Sequence, residues 1–354
     1  MGIPLISVLI TSYNYGSFIE EAIESVLAQE FPLDQLEILV VDDGSTDDTS
    51  ERLTKYGARV HYFYKPNGGQ ASALNLGLAK ARGEIVALLD ADDLFLPGKL
   101  KRIVDVFQQD PALGMVYHRL LEWYAQTGEH RERSFYAISG DIHKAPDRFF
   151  SYVAEPASCI SFRRNALDPL LPIPEGIRML GDCYLVTLVP FLAPILALPE
   201  FLALYRIHGK NNYGADEREV PIEVQKRRLG MWRVATDAMC NWLDDNGYSK
   251  RARERVFLNT WIAYHARQRF QIDPPGRLGF FRFLVWENYT SSHDQTWKFT
   301  VFNYLTSLSA LLFGYKNRHL MYEWRERTMT SLQSLSKRFF SVRSKSKARD
   351  VKCD

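Results

Sequence analysis

Cysteine is scarce in this chain: four residues in 354, at positions 159, 183, 240 and 353, with no paired-thiol motif. Such wide spacing argues against a structural zinc site and fits a reducing compartment. No cationic stretch followed by an apolar one opens the sequence, so a secretory leader is not expected and a cytoplasmic location is. Excess charge is missing as well. Lys and Arg number 44 against 42 Asp and Glu, and the resulting +2 is too near neutral to imply a nucleic-acid partner. Long apolar runs are nearly absent. Segment 183–199 has no charge, but it is short for a membrane span and carries Pro190, Pro194 and Pro199. It reads as a buried helix followed by a core strand. There is no internal repeat and no low-complexity segment. What remains is ordinary for a globular protein: 46% hydrophobic residues with 24% charged. The length suffices for one large α/β domain and a smaller unit.

Residues 5–110 alternate β-rich apolar runs with amphipathic stretches. Strands are expected at 6–11, 36–42, 60–64 and 85–90, with helices at 18–30, 47–56 and 70–81 between them. That alternation predicts a parallel sheet with right-handed crossovers, whose ligands bind at the carboxyl ends of the strands. Three of the four strands end there in polar clusters: Thr11-Ser12-Tyr13-Asn14, Asp42-Asp43-Gly44-Ser45 and Asp90-Ala91-Asp92-Asp93. Further on, strands are expected at 115–117 and 120–125, closed by a hairpin turn at Gln126-Thr127-Gly128. After about residue 214 the composition changes, and 225–246 and 251–271 read as amphipathic helices before the break at Pro274-Pro275-Gly276.

Each cluster has a bland explanation and a chemical one. Asp90, Asp92 and Asp93 at one strand end repel one another, and their burial is costly unless a cation compensates them. Mg²⁺ or Mn²⁺ with oxygen ligands would serve and would also hold phosphate oxygens. The bland alternative makes Asp93 a helix N-cap, for which a single Asp would suffice. The Asp42–Asp47 segment is partly a turn and cap, which leaves two adjacent acids at the strand tip unexplained. A carboxylate there can accept hydrogen bonds from a base N–H or a ribose hydroxyl. Asn67-Gly68-Gly69-Gln70 opens a helix, where glycines permit close backbone approach to a phosphate or simply make a turn. Gly181-Asp182 precedes an apolar helix, where an acid is usually a cap. A lone His, such as His208 after the last apolar strand, is more often structural than a ligand.

Taken in order and spacing, these segments resemble the family-2 inverting glycosyltransferases of the GT-A fold. The resemblance joins Ser7–Asn14, Val41–Asp47, Asn67–Gly77, Gly83–Asp93, Gly181-Asp182 and Tyr205–His208, and covers about the first 210 residues. It implies a GT-A nucleotide-sugar-binding domain, a mostly parallel central sheet with flanking helices, over residues 1–214. A mainly helical region at 215–335 and a basic tail at 336–354 would follow. By resemblance, Thr11, Tyr13 and Asp43 hold the nucleotide base, with Tyr13 stacking on it, and Asp90 lies near the ribose. Asp92 and His208 hold the metal, Mn²⁺ or Mg²⁺, and Asp182 is the general base. The partners implied are a nucleotide diphosphate sugar, UDP-linked, and a glycan or glycolipid acceptor in cell-surface polysaccharide or glycolipid synthesis. Two departures stand out. Gly181 replaces a Glu that is common before the base, and Leu74 replaces an Arg in the third helix, leaving Lys210 as a substitute contact for diphosphate. Two other classes compete: a sugar nucleotidyltransferase, which would want a Gly-rich, Arg-containing loop after the first strand, and a non-enzymatic nucleotide-sugar-binding scaffold, which would be expected to lose Asp92, Asp182 or His208.

Segment 277–340 concentrates Phe280, Phe281, Phe283, Trp286 and Trp297 beside Arg277, Arg282 and Lys298. Within the uncharged run 299–315, Phe302, Leu305, Leu308 and Leu312 recur at helical spacing. Such a face would lie in a membrane interface, with the basic tail on anionic head groups, or pack against the catalytic domain or a second copy of the chain in a homodimer.

Overall fold

The computed structural model describes residues 4–133, 135, 137–141, 155–209, 211 and 220–257, together with 276–278, 281, 282, 284 and 285. The chain divides into two compact units, Met1–His265 and Ala266–Asp354; the site and its supporting core lie in the first. Most of segment 277–340 and the basic tail fall outside the described residues. Among the described residues, no helix is long and apolar enough to cross a membrane.

The first unit opens with β1 (Ile6–Ser12), α1 (Gly16–Leu27), β2 (Leu36–Asp42), α2 (Thr49–Leu53), β3 (His61–Tyr64), α3 (Gln70–Lys80) and β4 (Ile85–Asp90). Strands β3-β2-β1-β4 pair in parallel, in that spatial order. The near-continuous burial of β1 and β2 is what a sheet covered on both faces requires. Helix α1 covers one face with Ile19, Ala22, Ile23 and Val26, one stripe at helical spacing. Beyond β4 come β5 (Leu94–Phe95), α4 (Lys99–Gln109), β6 (Met115–Tyr124), β7 (Glu129–Glu132), β8 (Ile160–Arg163), α5 (Arg164–Leu167), α6 (Gly181–Leu188) and β9 (Ile195–Ile207). The sheet continues from β4 through β8, β6 and β9 to β5, while β7 pairs with β6. Strand β8 is antiparallel to both β4 and β6, and β6 is parallel to β9, so β9 ends at the same edge as β1, β2 and β4. Strands β1–β4, β6 and β9 thus run one way, in a mixed, mostly parallel sheet. That direction brings residue 208, 115 positions beyond Asp93, to the carboxyl edge where the aspartates stand.

One element differs in kind from the sequence expectation. One strand, β6, spans 115–124 where two were expected; its register on β9 shifts between His118 and Leu120, so an irregularity interrupts the pattern without ending the strand. Segment 183–199 forms the end of α6, a short 3-10 turn and the start of β9, the helix and strand expected there. Helix α7 (Ile222–Asp245) buries Trp232, Ala235, Met239 and Leu243 in the same apolar cluster as α3 and α6, and α8 (Lys250–Phe257) adds Ala252 and Val256.

Candidate active site

The carboxyl edge is built in two halves. On the first, Thr11 lies in register between Val41 and Asp90 at the end of β1, and Tyr13 projects beyond it, 48% exposed. The loops after β1 and β2 are stitched together. Asn14 N–H donates to Ser45 Oγ at 2.8 Å, and Thr46 N–H donates to Asn14 Oδ1 at 2.8 Å. Asp47 Oδ2 accepts the N–H of Gly16 at 2.9 Å, satisfying an orphan donor at the start of α1, while Oδ1 accepts the Thr49 N–H at the start of α2. Adjacent acids at the β2 tip have separate tasks. Asp42 closes the turn, accepting Ser45 N–H at 2.7 Å and the Tyr62 hydroxyl at 2.8 Å. Asp43 is buried and accepts from Lys65 Nζ at 2.6 Å, Gly68 N–H at 2.9 Å and Gly69 N–H at 2.7 Å. It therefore fixes the turn that opens α3. Gly69 holds φ +92°, and a Cβ there would collide with the carbonyl of Arg178.

In the second half Asp90, Ala91, Asp92 and Asp93 turn off β4. Asp93 is not a helix cap: β5 follows it, and the N-cap of α4 is Gly98. Its carboxylate is fully buried, accepting the Ser158 hydroxyl at 2.6 Å on Oδ2 and the Arg206 N–H at 3.0 Å on Oδ1. Ser158 Oγ also accepts the Asp90 N–H at 3.0 Å, so one hydroxyl ties both ends of the turn. Below it the Lys99 ammonium, with no exposed surface, donates to Ser158 O at 2.6 Å and lies 3.5 Å from the Phe95 ring centroid. Burial lowers the Lys99 pKa to about 7. Arg206 locks β9 to the turn. Its Nε donates to Asp92 O at 2.8 Å and its Nη2 to Glu21 Oε2 at 2.8 Å, and the guanidinium sits 4.4 Å from the Trp123 ring and 5.1 Å from Phe18.

Asp92 and His208 meet directly, with Asp92 Oδ2 3.0 Å from His208 Nε2. The imidazole stacks on Phe18 at 4.4 Å, and Asn211 accepts the His208 N–H at 2.8 Å while donating to Arg206 O at 2.6 Å. Asp92 and His208 are thus pre-aimed at one point. No group of three His, Cys, Asp or Glu converges on a metal position among the described residues. The pair would hold a divalent cation whose remaining positions are filled by diphosphate oxygens and water.

Asp182 stands in the first turn of α6, after Leu180 in left-handed conformation at φ +72°. Burial raises the pKa of its carboxylate above the ordinary carboxylate range. Asp90 is raised well above that range, first by burial and then by the charges of Asp93, Asp92 and Asp182. Burial followed by Asp92, Asp90 and Asp93 likewise raises the Tyr15 phenol. Asp90, Asp92, Asp182 and His208 therefore share one corner, while Asp43 belongs to the α3 turn beside it. Lys210 lies outside the described residues.

Sequence reasoning missed Ser158, Lys99 and Arg206. Nothing in the irregular stretch before β8 marks Ser158. Arg206 was visible beside His208, and its alternation with Leu204 on β9 would have aimed it at the same wall. The departure at 181 has a steric cause. A Cβ there would stand 2.9 Å from Ala71 Cα and 3.1 Å from Leu74 Cδ1, so α3 leaves no room for a side chain.

The family model described as Glycosyl transferase family 2 matches residues 7–171. An uncharacterized glycosyltransferase of Nostoc sp. (strain PCC 7120) is 38% identical over 273 residues, 75% of this chain and 83% of that protein. One from Rickettsia typhi is 42% identical over 106 residues, 30% of this chain and 33% of the relative, so the chain spans only a third of that protein. Among solved structures, TarS of S. aureus (residues 1–349) in complex with UDP aligns at TM-score 0.55 and 17% identity, covering 95% of this chain and 91% of that one. A mannosyltransferase of Pyrobaculum calidifontis in complex with GDP-Man and Mn²⁺ aligns at TM-score 0.51 and 17% identity, covering 91% and 84%. The chain belongs to glycosyltransferase family 2.

Proposed function

We propose that this protein transfers a sugar from a nucleotide diphosphate sugar, UDP-linked, to an acceptor hydroxyl with inversion, in the synthesis of a cell-surface polysaccharide or glycolipid. The observation that carries the reading is the shared corner of Asp92, paired with His208, and Asp182, whose charge reaches Asp90. Thr11, Tyr13 and Asp43 border the base position, and Asp90 borders the ribose. Mn²⁺ or Mg²⁺ held by Asp92 and His208 would offset the charge that builds on the departing diphosphate. Asp182 takes the proton from the acceptor oxygen as that oxygen forms its bond to the anomeric carbon from the face opposite the nucleotide. The electron pair of the breaking C–O bond leaves with the diphosphate, and a single displacement inverts the centre. A carboxylate whose pKa burial raises suits this work, because it is a stronger base than an exposed one. The TarS fragment has been crystallised with UDP-GlcNAc, which supports a UDP-linked donor.

The test is incubation with radiolabelled UDP-GlcNAc, UDP-glucose or GDP-mannose and Mn²⁺, with the anomeric configuration of the product read by NMR. Release of nucleotide diphosphate with an inverted product is expected, and Asp182→Asn should slow it about a hundred- to ten-thousand-fold with UDP binding unchanged. Pyrophosphate exchange would identify a nucleotidyltransferase, binding without turnover a scaffold, and either result would overturn the proposal.

A further inference from the structure

Strand β8 pairs with β4 in antiparallel register, with Ile85 opposite Arg163, Val86 opposite Phe162 and Ala87 opposite Ser161. Continued by three residues, that register sets Ser158 opposite Asp90. The ladder does not reach so far, because the chain before β8 tightens into a 3-10 turn, Ala157–Cys159. At the end of β4 the Asp90 N–H therefore meets the Ser158 hydroxyl in place of a backbone carbonyl, at 3.0 Å. An N–H can only donate, so the hydroxyl oxygen accepts that bond and its single proton goes to Asp93 Oδ2 at 2.6 Å. The Ser158 carbonyl, turned out of the ladder, accepts from the Lys99 ammonium at 2.6 Å. Ser158 and Asp93 are both buried, so each of these groups depends on the partner it has here.

We propose that Ser158 is the positioning residue of the metal-binding turn: its hydroxyl fixes Asp90 and Asp93 relative to each other and so aims Asp92, between them, at His208. The inference rests on reading Asp92 and His208 as the metal ligands. The turn closes on itself through the Asp93 N–H, which donates to Asp90 O at 3.1 Å. That bond sets the width of the turn and leaves its tilt against the sheet open. Two ties set the tilt. Arg206 holds the turn from β9, through its N–H to Asp93 Oδ1 and its Nε to Asp92 O. Ser158 holds it from the β8 side. They grip different oxygens of the one Asp93 carboxylate, so losing either lets that carboxylate rotate about the other. The choice of a hydroxyl also has a reason. Three aspartates on one turn repel one another, and a Lys or Arg at this position would relieve the repulsion by competing with the metal. A serine supplies the donor without the charge.

A matched pair of serines separates positioning from general stability. Ser158→Ala removes both hydroxyl bonds at nearly the same volume. Ser158→Cys keeps a donor and an acceptor of similar shape at reduced strength. The control is Ser7→Ala, near the amino end of β1. There Ser7 Oγ donates to Glu37 Oε2 at 2.7 Å and accepts the Gly83 N–H at 2.9 Å, an equally buried pair of bonds. The measurements are Mn²⁺ affinity in the presence of UDP, by electron paramagnetic resonance titration, and thermal unfolding of the metal-free protein, with Asp92→Asn alongside. Both alanine variants are expected to lower the melting temperature, since each strands buried polar groups. Only Ser158→Ala should weaken Mn²⁺ binding, about 10- to 100-fold, with Ser158→Cys between it and wild type. Wild-type Mn²⁺ affinity in the Ser158 variants would overturn the proposal, as would an equal loss in Ser7→Ala, which would trace the effect to general loosening. If Ser158→Ala does not fold, the affinity of Ser158→Cys against that of Ser7→Ala decides. Should Asp92→Asn bind Mn²⁺ as wild type does, the ligand reading itself fails, an outcome distinct from unaffected Ser158 variants beside an Asp92→Asn that has lost the metal.

Discussion

Replacing Lys99 with Met should stabilise the protein in mild acid and destabilise it in base. The ammonium is fully buried, donates to the Ser158 carbonyl at 2.6 Å and faces the Phe95 ring. An ordinary Lys keeps its proton to pH 10.5, whereas this one releases it at about 7. Below pH 7 both folded and unfolded chains carry the charge, and the fold bears the full cost of burying it. Between pH 7 and 10.5 the unfolded chain holds a proton that the folded chain does not. Stability from this group therefore rises with pH, by about 1.4 kcal/mol per pH unit and about 5 kcal/mol across the window. Met fills a similar volume without the charge, but it leaves the Ser158 carbonyl short of a donor, a pH-independent loss of about 1–3 kcal/mol. The variant should thus be more stable than wild type by about 2–4 kcal/mol at pH 6, and less stable by about 1–3 kcal/mol at pH 10.5. Buried Cys159 and half-buried Tyr205, whose pKa values the fold raises, keep protons that the unfolded chain releases in the same alkaline range, a contribution of opposite sign. The difference between the two proteins, measured by urea unfolding at each pH, removes the Tyr205 contribution, whereas Cys159 feels the Lys99 charge and keeps a smaller residual in the alkaline part of the curve. A difference that stays constant from pH 6 to pH 10.5 would refute the reasoning.

The first half of the site was legible because its signals are local. Strands β1, β2 and β4 appear as apolar runs of β-formers, and each ends in residues too polar for a strand interior, so Thr11, Asp43 and Asp92 stand at a sheet edge on pattern alone. Parallel order follows from the intervening helices. The second half depends on contacts at long separation. Asp93 gave a cap-like pattern, because Leu94-Phe95-Leu96-Pro97 looks like a helix start. Its true partners, Ser158 and Arg206, lie 65 and 113 residues away. Lys99 sits on an amphipathic helix where a cation ordinarily faces water, and no periodicity reveals that the Ser158 carbonyl and the Phe95 ring enclose it. At Gly181 the residue itself was noticed as a departure, but its reason, the backbone of α3 at contact distance, exists only in three dimensions. Buried polar networks of this kind are specified by mutual satisfaction rather than by composition.

Two further outcomes follow from contacts in the same corner. Gly181→Ala forces a Cβ to 2.9 Å from Ala71 Cα, and overpacking of that kind should cost about 1–3 kcal/mol in thermal unfolding; an unchanged melting temperature would show that α6 can move away freely. Arg206→Lys should weaken Mn²⁺ binding while preserving the sign of every charge. The guanidinium holds the Asp92 carbonyl through Nε and the Glu21 carboxylate through Nη2, and its plane lies against Trp123. A Lys ammonium is a point donor that cannot span both partners or stack in that slot. With the guanidinium gone, the turn bearing Asp92 loses its side-chain tie to β9 and keeps the backbone bond from residue 206 to Asp93, so the 3.0 Å pairing of Asp92 with His208 loses part of its support. Loss of support for a metal ligand typically lowers affinity about 10- to 100-fold. Electron paramagnetic resonance titration of Mn²⁺ in the presence of UDP reads this directly. Equal affinity in the two proteins would mean that the aspartate turn keeps its shape without Arg206, and that the Ser158 hydroxyl, bound to Asp90 and Asp93 at once, is sufficient to hold it.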